Sequence, residues 1–400
     1  MNTPIYLSQP GIVCALGTGA QKVAERLFAG DSSGMQPVSG QVAQRTLTCG
    51  VVDSELPQMP SALMRHDTRN NRLLMAAMQP LQALLQQLVD RHGAGRIGVV
   101  IGTSTSGILE SGNHIGHWAR GGELPDAYSY LQQELADPAL FLGSWLGLQG
   151  PCYSISTACT SGARALISAR RLLQAGLCDA VLCGGSDSLC PLTLNGFSSL
   201  EAVSDRLCNP FSDNRQGINI GEGAALFLLT REPLAGEEPV TLAGCGASSD
   251  AYHISAPSPD GAGAVRAMQQ ALDDAGLAAA AIDYVNLHGT ATRHNDAMES
   301  QAMQQLFGSR VACSSSKPMS GHTLGAAGAL EAAFCWLMLH SRYNPQALLI
   351  PHLWDGVPDT ELPAINLAAA GQSLAGLRWL MSNSFAFGGN NTSLILGKAG

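Results

Sequence analysis

An α/β fold with buried strands is predicted by three observations. Short apolar runs that end in glycine alternate with longer segments whose apolar residues recur at helical spacing. Hydrophobic residues make up 46% of the 400-residue chain and charged ones only 13%, so much of it must lie in a thick core or under a partner subunit. Glycine, at 45 residues with no collagen-like period, supplies tight turns and close backbone approaches. The length exceeds that of a usual single core, which predicts two domains or one large double-layered one.

Taken in chain order, "RIGVVIGTSTSG" (96–107) reads as a buried strand running into a loop. "DAVLCGGSDS" (179–188), "GAALFLLT" (223–230), "IDYVNLHGT" (282–290) and "TSLILG" (392–397) read the same way. Between them, 161–176, 264–276 and 325–340 carry the apolar spacing of helices. Strands alternating with helices predict buried, largely parallel strands. A weak internal echo runs through the chain. The strand at 97–107 and the Gly-containing helix start at 159–166 are echoed by 282–290 and 319–333, and "GINIGEGAALFLL" (217–229) by "FAFGGNNTSLIL" (385–396). This predicts two similar α/β halves, 1–238 and 239–400, joined at the polar, Pro-containing stretch "REPLAGEEP" (231–239).

The net charge of −9 argues against a nucleic-acid partner, which calls for a basic domain or stripe. The eleven cysteines are odd in number and contain no C-x-x-C pair, so neither a disulfide framework nor a zinc site is expected. The N-terminus lacks the pattern of a signal peptide, and no apolar run approaches the ~20 residues of a membrane helix. A soluble, cytoplasmic protein without membrane contact or metal is the expectation.

The chemistry concentrates in a few small-residue loops. In "STACTSGARAL", Cys159 lies where a strand-like segment turns into a helix. Free N–H groups and the positive end of the helix dipole predict a lowered thiol pKa and a reactive sulfur. His288 ends a strand in "VNLHGTATRHND", and His322 precedes an alanine-rich helix in "SSSKPMSGHTLGAAGALEAA". Lys317 stands five residues before His322, and Glu299 eleven after His288. Taken singly these are ordinary polar residues; such loops, however, are where α/β folds build sites.

Taken together, "TACTSGARAL", "NPFSDNRQGINIGEGAA", "LHGTAT…ND…E", "SSKPMSGHTLGAAGALE" and "SNSFAFGGNN" resemble the signature segments of β-ketoacyl-acyl-carrier-protein synthases of the elongating, Cys-His-His class. The resemblance runs in order from about residue 5 to 397. It implies a thiolase-type fold, with two similar halves in five alternating layers. It also implies decarboxylative Claisen condensation of an acyl group on Cys159 with malonyl-acyl-carrier protein, without metal or organic cofactor. By the same resemblance His288 and His322 stabilise the enolate, and Lys317 orients His322. Glu299 supports the site by hydrogen bonding. The backbone N–H groups of Cys159 and Phe387 form the oxyanion hole, with Phe387 also the gating aromatic. Ile108 and Phe197 are expected to line the acyl pocket. The implied partners are an acyl carrier protein and a second subunit, as a homodimer or as a heterodimer with a related ketosynthase-like chain.

Some positions depart from the family pattern. Ala386 and Asn390 alter the gating loop, Arg293 replaces a proline with His294 after it, and Glu201 stands where a basic docking residue is common. These departures favour a specialised polyene route, of the aryl-polyene kind, over bulk fatty acid synthesis. Arg65, Arg69 and Arg72 fall on one face of an expected helix and could receive an acidic carrier and its phosphate. Four other readings are weaker. A chain-length-factor-like subunit generally lacks the active cysteine, a thiolase-like acyltransferase fits the paired histidines and Lys-x4-His spacing less well, and a cysteine hydrolase lacks an evident carboxylate or amide partner. "HIGH" (114–117) spells an aminoacyl-tRNA synthetase signature in the wrong context.

Overall fold

The computed structural model describes residues 3–126, 128–234, 236 and 238–399. Its main sheet runs Asn366–Leu367, Ala312–Ser314, Tyr284–Asn286, Trp379–Phe385, Asn390–Lys398, Val240–Ser249, Tyr6–Leu7, Gly223–Thr230, Ala180–Asp187, Ile97–Gly102 and Cys152–Ile155. The short strand Tyr6–Leu7 joins two sheets of like design. In one, Cys152–Ile155, Ile97–Gly102 and Ala180–Asp187 are parallel, and Gly223–Thr230 and Gly11–Cys14 follow antiparallel. In the other, Ala312–Ser314, Tyr284–Asn286 and Trp379–Phe385 are parallel, and Asn390–Lys398 and Val240–Ser249 follow antiparallel. The echo in the sequence is a repeat of this pairing pattern.

The expectation of largely parallel strands is corrected: each sheet is mixed. Apolar runs report burial on both faces, and a doubly covered antiparallel strand reads like a parallel one. Trp379–Phe385 and Asn390–Lys398 are joined by only four residues, a connection that permits no parallel pairing.

Alternation along each strand divides the core into layers. In Ile97–Gly102, Val100 packs into the central core while Val99 and Ile101 pack outward against helices Arg69–Met78, Gln82–His92 and Asp137–Leu146. In the second sheet, Tyr284 and Leu380 face the centre, and Val285 and Met381 face helices Ala262–Ala275 and Arg293–Phe307. Between the sheets lie helices Ser161–Gln174 and Ala327–Leu339, and every residue of the second is buried. The result is five alternating layers. Among the described residues no helix is long and apolar enough to cross a membrane, and all eleven cysteines are free.

The two central helices touch through small residues. A methyl group at Gly162 would come within 2.8 Å of the Ala329 backbone nitrogen, and one at Gly328 within 2.7 Å of the Ala163 side chain. Gly328→Val should therefore force the helices apart and lower unfolding stability by about 1–3 kcal/mol, read as a lower urea midpoint. Gly112→Ala, in a helix where the added methyl meets nothing within 4 Å, should instead be neutral or gain up to about 1 kcal/mol.

Candidate active site

Cys159 follows the strand Cys152–Ile155 and immediately precedes Thr160, the N-cap of helix Ser161–Gln174. The turn before it is strained, since Ala158 takes a positive φ of 52°. Hydroxyl groups hold that conformation. Ser161 Oγ donates to the Ala158 carbonyl at 2.6 Å and accepts from Thr157 N–H at 2.9 Å, while Thr160 Oγ1 donates to the Thr157 carbonyl at 2.7 Å. The small hydroxylated residues around the cysteine thus act as the ties of its turn.

The other half of the chain delivers the histidines. His322 lies in the loop before helix Ala327–Leu339, its backbone N–H bonded to the Asn219 carbonyl at 2.6 Å. Its Nε2 stands 3.0 Å from Cys159 Sγ. His288 follows the strand Tyr284–Asn286, and its ring meets that of His322 edge-on with centroids 5.2 Å apart. Glu299, on helix Arg293–Phe307, fixes the His288 loop by accepting the backbone N–H groups of His288 and Gly289 at 2.8 and 2.7 Å.

Lys317 departs from its expected task. Its Nζ lies 3.5 Å from His288 Nδ1 and forms an ion pair with Glu331 at 2.6 Å, so it addresses His288 directly and acts on His322 only through its charge. Both members of the pair are buried, at 1% and 3% exposure. Glu331 escaped the sequence reading, although a lone carboxylate in the apolar run "GAAGALEAAFCWLML" was the available signal.

Burial sets the charge states. It drives His288 and His322 well below the usual histidine range, and the Lys317 ammonium lowers both further, so each imidazole is neutral near pH 7. Burial pushes Glu299 up to about 7, against the pull of the two N–H groups it accepts. Cys159 corrects the expectation of a lowered thiol pKa. It is 5% exposed, and desolvation pushes it up to about 12, outweighing the Lys317 charge. Proximity to a helix N-terminus does not offset the removal of a thiolate from water.

A cavity of about 520 Å³ opens onto Cys159, His288 and His322. Phe197 and Phe387 both line it, their ring centroids 5.4 Å apart, so the expected pocket residue and the expected gate rest on one another. Ile108 does not line this cavity; it opens the helix Ile108–Ala119. Glu201, Arg293, His294 and Ala386, among the positions expected to depart from the family pattern, do line it. In the gating loop the left-handed positions are Gly388 and Gly389, with φ of 81° and 74°, and Ala386 is not among them.

The expected helical face of Arg65, Arg69 and Arg72 is not formed as read. Thr68 caps the helix, its side chain accepting Asn71 N–H at 3.1 Å, so Arg65 lies outside in a preceding 3-10 turn. Arg69 binds both carboxylate oxygens of buried Glu222, and Arg72 binds Asp67. Neither guanidinium is a free cation.

The Sγ of Cys159 and one ring nitrogen from each of His288 and His322 lie within 4.8 Å of one another, the one grouping of potential metal donors among the described residues. The Lys317 ammonium beside His288 opposes a cation there.

Residues 52–235 match the family described as beta-ketoacyl synthase, N-terminal domain, and residues 240–350 the corresponding C-terminal domain. The chain is 39% identical over 264 residues to 3-oxoacyl-[acyl-carrier-protein] synthase 2 of Rhizobium meliloti (strain 1021), an overlap of 62% of this chain and 61% of that relative. It is 32% identical over 326 residues to the protein of the same name from Staphylococcus aureus (strain COL), covering 78% of this chain and 77% of the relative. Among solved structures, it is similar to the ketosynthase ApeO in complex with its chain length factor ApeC from Xenorhabdus doucetiae. That likeness has a TM-score of 0.93 and 46% identity, covering 99% of this chain and 98% of the other.

A thiol held protonated at rest makes a specific kinetic prediction. Alkylation of Cys159 by iodoacetamide should rise about tenfold per pH unit from roughly pH 7 to 10 without a plateau. Intact mass, with Cys159→Ala as the blank for the other thiols, reads the rate. A plateau near neutrality would reveal a resting thiolate and overturn the burial argument.

Proposed function

The chain belongs to the beta-ketoacyl synthase family, and from that premise we propose that it condenses an acyl thioester with a malonyl-carrier thioester, with loss of CO2. The observation that carries this reading is the approach of His322 Nε2 to Cys159 Sγ at 3.0 Å, with His288 beside them in one cavity. In the first half-reaction Cys159 Sγ attacks the acyl thioester. Its proton passes by way of His322 Nε2 to the departing carrier thiolate, so the thiol is deprotonated only as it attacks an electrophile. The acyl group is then held as a thioester on Cys159.

In the second half-reaction the malonyl thioester loses CO2, and its electron pair becomes an enolate on the thioester oxygen. Neutral imidazoles donate to that oxygen without protonating it, His322 in its Nε2–H tautomer rather than the Nδ1–H tautomer that relays the thiol proton, and the depressed basicity of both histidines suits this role. The Lys317 ammonium, facing His288 Nδ1, favours the tautomer that carries its proton on Nε2. The enolate carbon attacks the acyl carbonyl, the oxyanion is received by the amides of Cys159 and Phe387, and Cys159 leaves as a thiolate that takes one proton from solvent to restore the resting thiol, with the β-ketoacyl-carrier released. Atoms and charges balance without metal or organic cofactor, and we assign the reaction to the cytoplasm.

The proposed partners are an acyl carrier protein and a second, ketosynthase-like subunit. For the subunit, support comes from one end of the sheet. Cys152–Ile155 is an edge strand leading straight into the Cys159 turn, and Trp118, Tyr130, Leu131, Leu135 and Leu140 are exposed on nearby segments. The 46% identity to a ketosynthase solved in complex with its chain length factor favours this chain as the active member of a heterodimer. The expected departures at Glu201, Arg293, Ala386 and Asn390 favour a specialised polyene route over bulk fatty acid synthesis.

Incubation with acyl-carriers and malonyl-carrier, followed by mass, tests the reaction. Cys159→Ala should form no acyl-enzyme and lose condensation by at least about 10³-fold. His288→Ala should still acylate Cys159 but slow condensation by about 10²–10³-fold, the cost of one donor at a developing oxyanion. A Cys159→Ala protein that condenses normally would sink the mechanism. For the partner, light scattering of this chain with and without a chain-length-factor-like subunit should register a mixed dimer.

A further inference from the structure

Asp187 ends the strand Ala180–Asp187, is fully buried, and takes no part in the steps above. No cationic side chain among the described residues pairs with it. Its two oxygens instead serve two different segments. Oδ1 accepts the hydroxyls of Thr103 and Thr105 at 2.7 and 2.8 Å and the amides of Ser104 and Thr105, both at 2.8 Å. Oδ2 accepts the amide of Gly325 at 2.5 Å and a longer bond from Ser104 at 3.0 Å. A buried carboxylate with this many donors is a strong and directional tie.

Gly325 lies three residues past His322, and the segment between them is strained, with Leu324 at a φ of 49°. Such a conformation persists only where its surroundings fix it. On the upstream side, His322 is held through its N–H to the Asn219 carbonyl and its own carbonyl to Gly221 N–H. On the downstream side, Asp187 Oδ2 is the side-chain tie. The frame from which it hangs is itself anchored, because Ser106 Oγ donates to the carbonyls of Gln132 and Glu134 at 3.0 and 2.8 Å. A methyl group at Gly325 would meet Asp187 Oδ2 and Ser104 N at 2.7 Å, so nothing larger than glycine lets the segment reach the carboxylate.

We propose that Asp187 is a positioning residue: by holding Gly325 against the 103–105 loop it fixes the segment that carries His322, and so keeps His322 Nε2 on Cys159 Sγ. The role of His322 rests on the condensation reading; the placement of its ring does not.

Asp187→Asn separates this role from general stability. The amide keeps an acceptor for the 103–105 loop, but turning its NH2 toward Gly325 sets donor against donor. Thr105→Val, nearly isosteric, removes one donor to Oδ1 and leaves the Gly325 tie intact. Asp187→Asn should lower kcat about 10–100-fold with KM changed less than about threefold, and slow alkylation of Cys159 in parallel. Thr105→Val should stay within about threefold in both measures. Should Asp187→Asn fail to fold, Asp187→Ser, which vacates room for water, is expected to give the same split. A folded Asp187→Asn or Asp187→Ser with kcat and alkylation within twofold of the parent would overturn the proposal. So would losses in Asp187→Asn and Thr105→Val that merely follow their melting temperatures. The alkylation measurement uses no acyl substrate, so it judges Asp187 even if the protein proves to catalyse something other than condensation.

Discussion

The close contact of two buried helices sets everything else in place. Ser161–Gln174 comes from one half of the chain and Ala327–Leu339 from the other, and they approach through Gly162, Ala163, Gly328 and Ala329. Cys159 sits just before one helix and His322 shortly before the other, so this packing brings a sulfur and an imidazole separated by 163 residues to 3.0 Å. Larger side chains at the crossing would separate the halves and pull the site apart with them. The density of small residues in both motifs has that mechanical cause, alongside whatever room the substrate needs.

The second constraint is electrostatic. The core between the sheets is apolar enough that a lysine can be kept there only with a carboxylate beside it, and Glu331 supplies one. The pair leaves Lys317 able to polarise His288 without adding a net charge to the interior. The same apolar surroundings keep both imidazoles neutral and Cys159 protonated. The site at rest is therefore nearly uncharged around its reacting atoms, and reactivity appears when a thioester brings a carbonyl for the sulfur and, later, an oxyanion for the imidazoles. Asp187 and Glu299 fit this arrangement as carboxylates that work on backbone amides at the edge of the site, fixing loops while the histidines face the cavity.

The mouth of the cavity holds several of the positions expected to depart from the family pattern. Glu201, Arg293 and His294 are exposed there, beside the paired rings of Phe197 and Phe387. The residues at the mouth meet solvent, while the interior machinery of Cys159, His288, His322, Lys317 and Glu331 is buried.

The amino-acid sequence by itself determined the layers and the reacting side chains. Apolar runs ending in glycine located the strands Ile97–Gly102, Ala180–Asp187 and Gly223–Thr230 to within a residue or two, since burial on both faces leaves no other composition possible. Ordered motifs named Cys159, His288, His322, Lys317 and Glu299, because their resemblance to family segments is carried by short local stretches of sequence. What the sequence could not express were relations between distant segments. Strand direction went astray because parallel and antiparallel strands carry the same apolar signature. The arginines at 65–72 have helical spacing, but Thr68 caps the helix and leaves Arg65 outside it, Asp67 beside the cap takes Arg72, and distant Glu222 takes Arg69. Glu331, Asp187 and the high thiol pKa of Cys159 were decided by tertiary structure alone. Each depends on how much water is excluded and which charge or amide stands opposite, and those quantities exist only once the two halves have closed on each other.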